Sequence, residues 1–132
     1  MSTSSGKKIL GGDFLICQDE FGGWRLDGGS TSFDLVNDSD FKRVISLLEL
    51  PFGEVRLELG STFPYFALIG VGLKHESDYW IALALNWVSQ LNSKEALTFF
   101  EQLQFISADK KVSQKNRGLA KKEIKRLRGL TS

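Results

Sequence analysis

The sequence predicts an α+β fold in which helices pack on a largely antiparallel sheet of four to five strands. Three observations lead to this prediction. Short segments of strand-like composition, separated by glycine-rich turns, occupy residues 9–36. Residues 54–60 alternate between apolar and charged side chains, which is the period of a half-buried strand. From residue 78 onward the apolar residues recur every three to four positions, which is the period of a helix.

An N-terminal hairpin is the first predicted element. Residues 9–17 and 21–26 have the composition of two strands. The segment 19–23 between them ends in two glycines, which permit the positive φ that tight turns require. A second turn at 27–30 precedes a short extended segment, 31–36.

A helix is predicted near residues 40–50. Asn37 opens a run of residues that cap helix N-termini, and apolar spacing starts directly after it. Pro51 disfavours helical geometry in the residue before it and so ends the helix. The apolar residues at i, i+3, i+4 and i+7 are Phe41, Val44, Ile45 and Leu48.

Two central strands, 54–60 and 63–73, are predicted next. In the first, Val55, Leu57 and Leu59 share one face of the strand. The second is apolar on both alternating faces, as in a strand covered on both sides. Pro64 is compatible with that strand only because it stands at its start.

The rest of the chain has helical periodicity. Helices are predicted near 78–91 and 94–107, and a basic C-terminal helix near 117–129. Asn92 and Glu95 have the spacing of a capping box that opens the second of these helices. The basic helix has an apolar line at i, i+4 and i+7, formed by Ala120, Ile124 and Leu127.

Length and composition predict one globular domain in an intracellular protein. We expect a mobile N-terminus at 1–8, an α+β domain at 9–109 and a basic helical segment at 110–132. The single cysteine, Cys17, excludes an internal disulfide and favours a reducing compartment. The N-terminus has no apolar signal segment, and the longest apolar stretch has about eleven residues, too few to span a membrane. These features predict a soluble, cytoplasmic protein without membrane insertion.

The most informative feature is the segregation of charge. Of 17 basic and 16 acidic residues, nine basic and one acidic lie from Lys110 onward. The preceding 109 residues therefore carry eight basic and fifteen acidic residues. Such asymmetry bears on the choice of partners rather than on the fold.

Catalytic, metal and cofactor sites are not predicted. His75 and Cys17 are the only histidine and cysteine, and no motif of a nucleophilic site surrounds either of them. Two such residues are too few for a structural zinc site. The glycine pairs lack the spacing of a dinucleotide or phosphate loop. The sequence therefore predicts no cofactor and favours a non-enzymatic protein, with an enzyme centred on His75 as the third interpretation.

The leading expectation is a small accessory protein that binds another protein or a protein complex. Its docking element would be the basic segment. Trp24, whose ring we expect to be partly exposed beside a turn, and Arg25 would form a weaker second site. The basic docking residues are Lys121, Lys122, Lys125, Arg126 and Arg128.

Two other interpretations of the basic segment stay open. The first is a nucleic-acid-binding helix, since lysine and arginine neutralise phosphates. The second is a terminal helix whose charges only face solvent. The acidic residues Asp13, Asp19, Glu20 and Asp27 could form a solvated rim or the surface that the basic segment contacts.

Overall fold

Residues 6–8, 15–18, 21–28 and 31–131 are described by the structure, a computed structural model. The chain forms two compact units, residues 1–68 and residues 69–132, and the boundary falls within one helix. We call them the first and second unit and describe each by itself. Among the described residues, no helix is both long enough and apolar enough to cross a membrane.

The strands of the first unit form one antiparallel sheet with the order β1-β2-β3-β4. They are β1 (Gly6–Lys8), β2 (Leu15–Gln18), β3 (Trp24–Gly28) and β4 (Thr31–Leu35). In the register, Ile16 pairs with Leu26, and Leu26 pairs with Phe33. Ile16 and Leu26 are buried, whereas Arg25 between the buried positions of β3 is exposed. One face of the sheet therefore supplies core residues, as the alternation of a half-buried strand requires.

Helices follow the sheet in the first unit. They are α1 (Asp38–Phe41), a 3₁₀ helix (Lys42–Glu49), α2 (Phe52–Leu59) and the start of α3 (Tyr65–Leu73). The Asp40 carboxylate accepts hydrogen bonds from the backbone N–H groups of Val36 and Asn37. The bond from Asn37 is the main reason why the pKa of Asp40 is lowered.

Aromatic side chains form the centre of the first unit's core. Phe63 makes edge-to-face contacts with Trp24 at 5.1 Å, with Tyr65 at 5.1 Å and with Phe41 at 6.2 Å between ring centroids. The Tyr65 hydroxyl donates to the carbonyl of Gly60, and burial raises the pKa of Tyr65 to about 12. Edge-to-face geometry places the positive edge of one ring on the negative face of the next.

The second unit is helical. It contains the rest of α3, α4 (Asp78–Gln90), α5 (Ser93–Ala96), a 3₁₀ turn (Leu97–Phe99), α6 (Phe100–Ala108) and α7 (Gln114–Thr131). The capping box expected at α5 is present. Asn92 Oδ1 accepts from the Glu95 N–H at 2.8 Å, and Glu95 Oε1 accepts from the Asn92 N–H at 3.2 Å. Trp87, Leu103 and Leu127 are among the fully buried side chains.

The predicted sheet is wrong in its central part. The two segments predicted as central strands, 54–60 and 63–73, are mostly helical and belong to α2 and α3, and the described strands all lie before residue 36. In α2, Val55 and Leu59 are buried together as an i, i+4 pair, whereas Leu57 is 87% exposed. A strand would place Val55, Leu57 and Leu59 on one face, whereas the helix buries only Val55 and Leu59 and leaves Leu57 in solvent.

The error at 63–73, where a strand was predicted and helix α3 lies, has a different cause. Residues 63–73 are apolar nearly throughout, and periodicity cannot distinguish a buried strand from a buried helix in such a segment. Pro64 directly precedes the first residue of α3. The start of a helix tolerates proline, because an N–H there has no partner within the helix and its absence removes no hydrogen bond. Gly70 and Gly72 disfavour a helix by about 1 kcal/mol each, yet the surrounding packing outweighs that preference.

Candidate docking surface on helix α7

Helix α7 has one buried face and one cationic face. Its predicted apolar line is buried, with Ala120 and Leu127 at 0% exposure and Ile124 at 6%. This face packs against α6 and α4 of the same unit. The basic segment is therefore anchored to folded structure by its apolar residues.

Arg126 extends this anchoring beyond apolar contact. Its guanidinium donates to the carbonyl of Leu91 at 3.2 Å and to the carbonyl of Val88 at 3.2 Å. These carbonyls lie at the C-terminal end of α4, where helical backbone leaves oxygens without partners. The same guanidinium forms a 2.7 Å ion pair with Glu123, whose side chain is 9% exposed. Arg126 thus clamps α7 to the end of α4.

The start of α7 is attached to the start of α4. Asp78 Oδ1 accepts from the backbone N–H of Ser113 at 2.9 Å and from Asn116 Nδ2 at 3.0 Å. Asn116 Nδ2 also donates to the backbone carbonyl of Asp78 at 2.9 Å. The backbone N–H of Ser113, and next the side chain of Asn116, hold the pKa of Asp78 below its usual value of 3.8.

The lowered pKa of Asp78 predicts a specific pH dependence of stability. Because the folded-state pKa lies below the unfolded one, the stabilisation is complete above about pH 5 and is lost as pH falls through the unfolded and then the folded pKa. We expect Asp78→Asn to lose less stability than the wild type between pH 5 and pH 3. Thermal unfolding measured across that range tests this. Glu76→Gln, which changes an exposed carboxylate two residues away, is the control and should follow the wild-type profile.

The opposite face of α7 carries only cations as charged groups. Its basic residues are Lys115, Lys121, Lys122, Lys125 and Arg128, all exposed. With a rise of 1.5 Å per residue, they extend over about 20 Å of the helix. The only acid of the helix, Glu123, is buried on the other side. We call these five residues the α7 cationic face.

The structure divides the predicted basic docking residues between two places. Lys121, Lys122, Lys125 and Arg128 lie on the α7 cationic face, whereas Arg126 contacts α4. Lys121, Lys122 and Lys125 form no hydrogen bond or ion pair with the described part of the chain. Lys115, which the prediction did not include, joins them because it lies seven residues before Lys122 and so on the same side of the helix.

The second predicted site, Trp24 with Arg25, differs more strongly from its prediction. The expected partial exposure of the Trp24 ring is wrong, since Trp24 is 5% exposed and packs on Phe63. A tryptophan beside a glycine turn still lies on the inward face of its strand, because the register of the sheet decides its direction. Arg25, next to it, is exposed and pairs with Asp27 at 3.9 Å and Asp34 at 3.8 Å.

The acidic residues of the first hairpin lie mostly outside the described residues. This holds for Asp13, Asp19 and Glu20, so both interpretations of these acids, a solvated rim and a surface that the basic segment contacts, stay predictions. Asp27 is described, and it accepts a 3.4 Å hydrogen bond from the Cys17 thiol in addition to its ion pair with Arg25. Cys17 is 8% exposed, as a small apolar side chain of a strand would be.

His75 lies on a groove that the sequence did not indicate. The groove belongs to the second unit, has a volume of about 620 Å³ and lies between the 73–76 segment and α6 with the turn after it. The walls come from segments about thirty residues apart in the chain, so no local pattern could have revealed them. Among the described residues, no group of three or more His, Cys, Asp or Glu side chains is placed to hold a metal ion.

Comparison with known proteins found no relative of this chain. No family model matches the chain, and no curated protein and no solved structure matches it either.

Proposed function

We propose that this protein is a small accessory protein that binds another protein through the α7 cationic face. The observation that carries the proposal is an exposed helical surface, about 20 Å long, on which every charged residue is basic. Opposite charges across an interface steer association and select partners. The partner surface would accordingly be acidic.

The anchoring of α7 supports a role in recognition. A cationic segment that is disordered until it binds must lose conformational entropy when it meets its partner. Here the apolar line and the Arg126 clamp hold α7 in place beforehand. The spacing of the lysines is therefore defined before contact, which lowers the cost of binding.

The proposal predicts that charge reversal on this face strongly weakens partner binding. The test variant is Lys121→Glu/Lys125→Glu, which introduces two acids on one stripe of α7. The matched control is Lys42→Glu/Lys94→Glu, with the same change in net charge at two exposed lysines elsewhere. We expect at least a tenfold loss of captured partner for the test variant and no loss for the control, because close charge pairs contribute on the order of 1.5 kcal/mol or more.

The measurement is quantitative affinity capture from native lysate, with and without nuclease. Circular dichroism first establishes that both double variants keep the wild-type helix content. Proteins that the wild type and the control retain after nuclease treatment, and that the test variant loses, support the proposal. Equal capture by all three proteins contradicts it.

Nucleic acid is the second candidate for the same surface, since a row of lysines also neutralises phosphates. Capture that disappears with nuclease would favour it over a protein partner. Binding to a generic single-stranded oligonucleotide would then weaken steeply as salt rises, because each neutralised phosphate releases counterions.

A further inference from the structure

The groove beside His75 has the size and lining of a small-molecule site. Its volume of about 620 Å³ lies within the range of roughly 300–1,000 Å³ that ligand pockets occupy. The apolar part of the lining comes from helices α3, α4 and α6 and from the turn after α6: Leu73, Ile81, Phe105, Ile106 and Val112. Phe105 is 70% exposed, although it is a large apolar side chain on an otherwise folded helix.

Two polar groups of the groove lack partners in the described chain. His75 Nδ1 accepts a hydrogen bond from the Ser77 N–H at 3.0 Å, so the neutral imidazole carries its proton on Nε2. No described residue accepts a hydrogen bond from that Nε2–H. Gln102 lines the same groove, and its Oε1 is buried without a hydrogen-bond partner. The groove therefore combines an apolar surface with one unused donor, and with a side-chain amide whose unpaired oxygen becomes reachable only when the amide rotates.

The charged rim of the groove is close to balanced. Lys74 and Lys111 lie on it together with Glu76, Glu101 and Asp109. The rim therefore presents neither a purely basic surface to an anionic ligand nor a purely acidic surface to a cationic one. The balance favours a ligand without net charge, since burying an unpaired charge is costly.

We propose that this groove binds a neutral, mainly apolar small molecule that carries one hydrogen-bond acceptor and one donor. The apolar body contacts Phe105 and the aliphatic side chains around it. The acceptor of the ligand takes the hydrogen bond from His75 Nε2–H, and its donor pairs with the Gln102 side-chain amide after rotation of that amide. The site is separate from the α7 cationic face and does not depend on the function proposed for it.

Acetanilide is a suitable probe, since it is neutral, has an aromatic body, and carries one carbonyl and one N–H. We expect it to shift backbone amide resonances of the ¹⁵N-labelled protein in residues 73–76 and 101–112, and to approach saturation at millimolar concentration. Benzoate and benzylammonium, similar in size but charged, are expected to bind more weakly. Shifts scattered over both units, or equal binding of all three compounds, would overturn the proposal.

Two variants test the assigned contacts. Phe105→Ala removes the exposed aromatic contact, and we expect about a fivefold loss of acetanilide affinity. Phe21→Ala is the matched control, because Phe21 is 89% exposed and belongs to the first unit; it should leave the affinity unchanged. His75→Asn keeps an acceptor for the Ser77 N–H but removes Nε2, and should weaken binding by about fivefold as well. Equal affinities for Phe105→Ala, His75→Asn and the wild type would refute the assignment.

Discussion

Replacement of Trp24 by alanine is expected to destabilise the first unit by about 3–5 kcal/mol, the usual cost of removing a buried tryptophan. Trp24 is 5% exposed, and its ring meets that of Phe63 edge to face at a centroid distance of 5.1 Å. Phe63 also contacts Tyr65 and Phe41, so the indole belongs to a connected aromatic cluster. A cavity at this point would remove contacts from several rings at once.

Differential scanning calorimetry of the full chain measures this effect. Phe21→Ala is the control for loss of an exposed aromatic side chain and should change stability by less than about 0.5 kcal/mol. Trp24→Phe is expected to cost less than Trp24→Ala, because it keeps an aromatic ring and removes an indole N–H that is buried without a partner among the described residues. If Trp24→Ala unfolded like the wild type but lost partner binding, Trp24 would be a docking residue after all.

Arg126→Ala is expected to destabilise the second unit by about 2–3 kcal/mol. The substitution leaves the buried carboxylate of Glu123 without its cation, and removes two donors from the carbonyls of Val88 and Leu91. Breaking a fully buried pair costs about 3–5 kcal/mol, but the Arg126 side chain is 33% exposed, which places the effect lower.

Lys125→Ala is the matched control for Arg126→Ala. It removes a cation from the adjacent position of α7 that points to solvent, and a change within about 0.5 kcal/mol is expected. Arg126→Lys should fall between the two, because an ammonium keeps the charge but lacks the planar arrangement of donors. Chemical denaturation followed by circular dichroism distinguishes these variants. Equal stability of Arg126→Ala and Lys125→Ala would show that the clamp contributes nothing.

These two predictions bear on the docking surface. Trp24 and Arg126 were both predicted as docking residues from their types and neighbours in sequence. The structure gives each an inward contact, with Phe63 in one case and with the end of α4 in the other. Substitutions at these two positions would therefore reduce binding through loss of folding. Lys121 and Lys125 are better test positions because they are exposed.

The local patterns of the chain were sufficient for the helices from residue 78 onward. The line Ala120, Ile124, Leu127 is buried in a helix, and the Asn92–Glu95 capping box opens one. Both are properties of residues within one or two turns of each other, so their interactions form without distant partners. The concentration of cations after Lys110 is likewise a property of the sequence alone.

Only the tertiary structure decided the remaining features, because they depend on groups far apart in the chain. The segment 54–60 suits either period until packing buries Val55 with Leu59 and leaves Leu57 in solvent. The carbonyls that Arg126 contacts lie 35 and 38 residues before it, so no spacing within α7 reveals that it turns inward. The groove beside His75 arises in the same way, since distant segments must be packed together before a space between them exists.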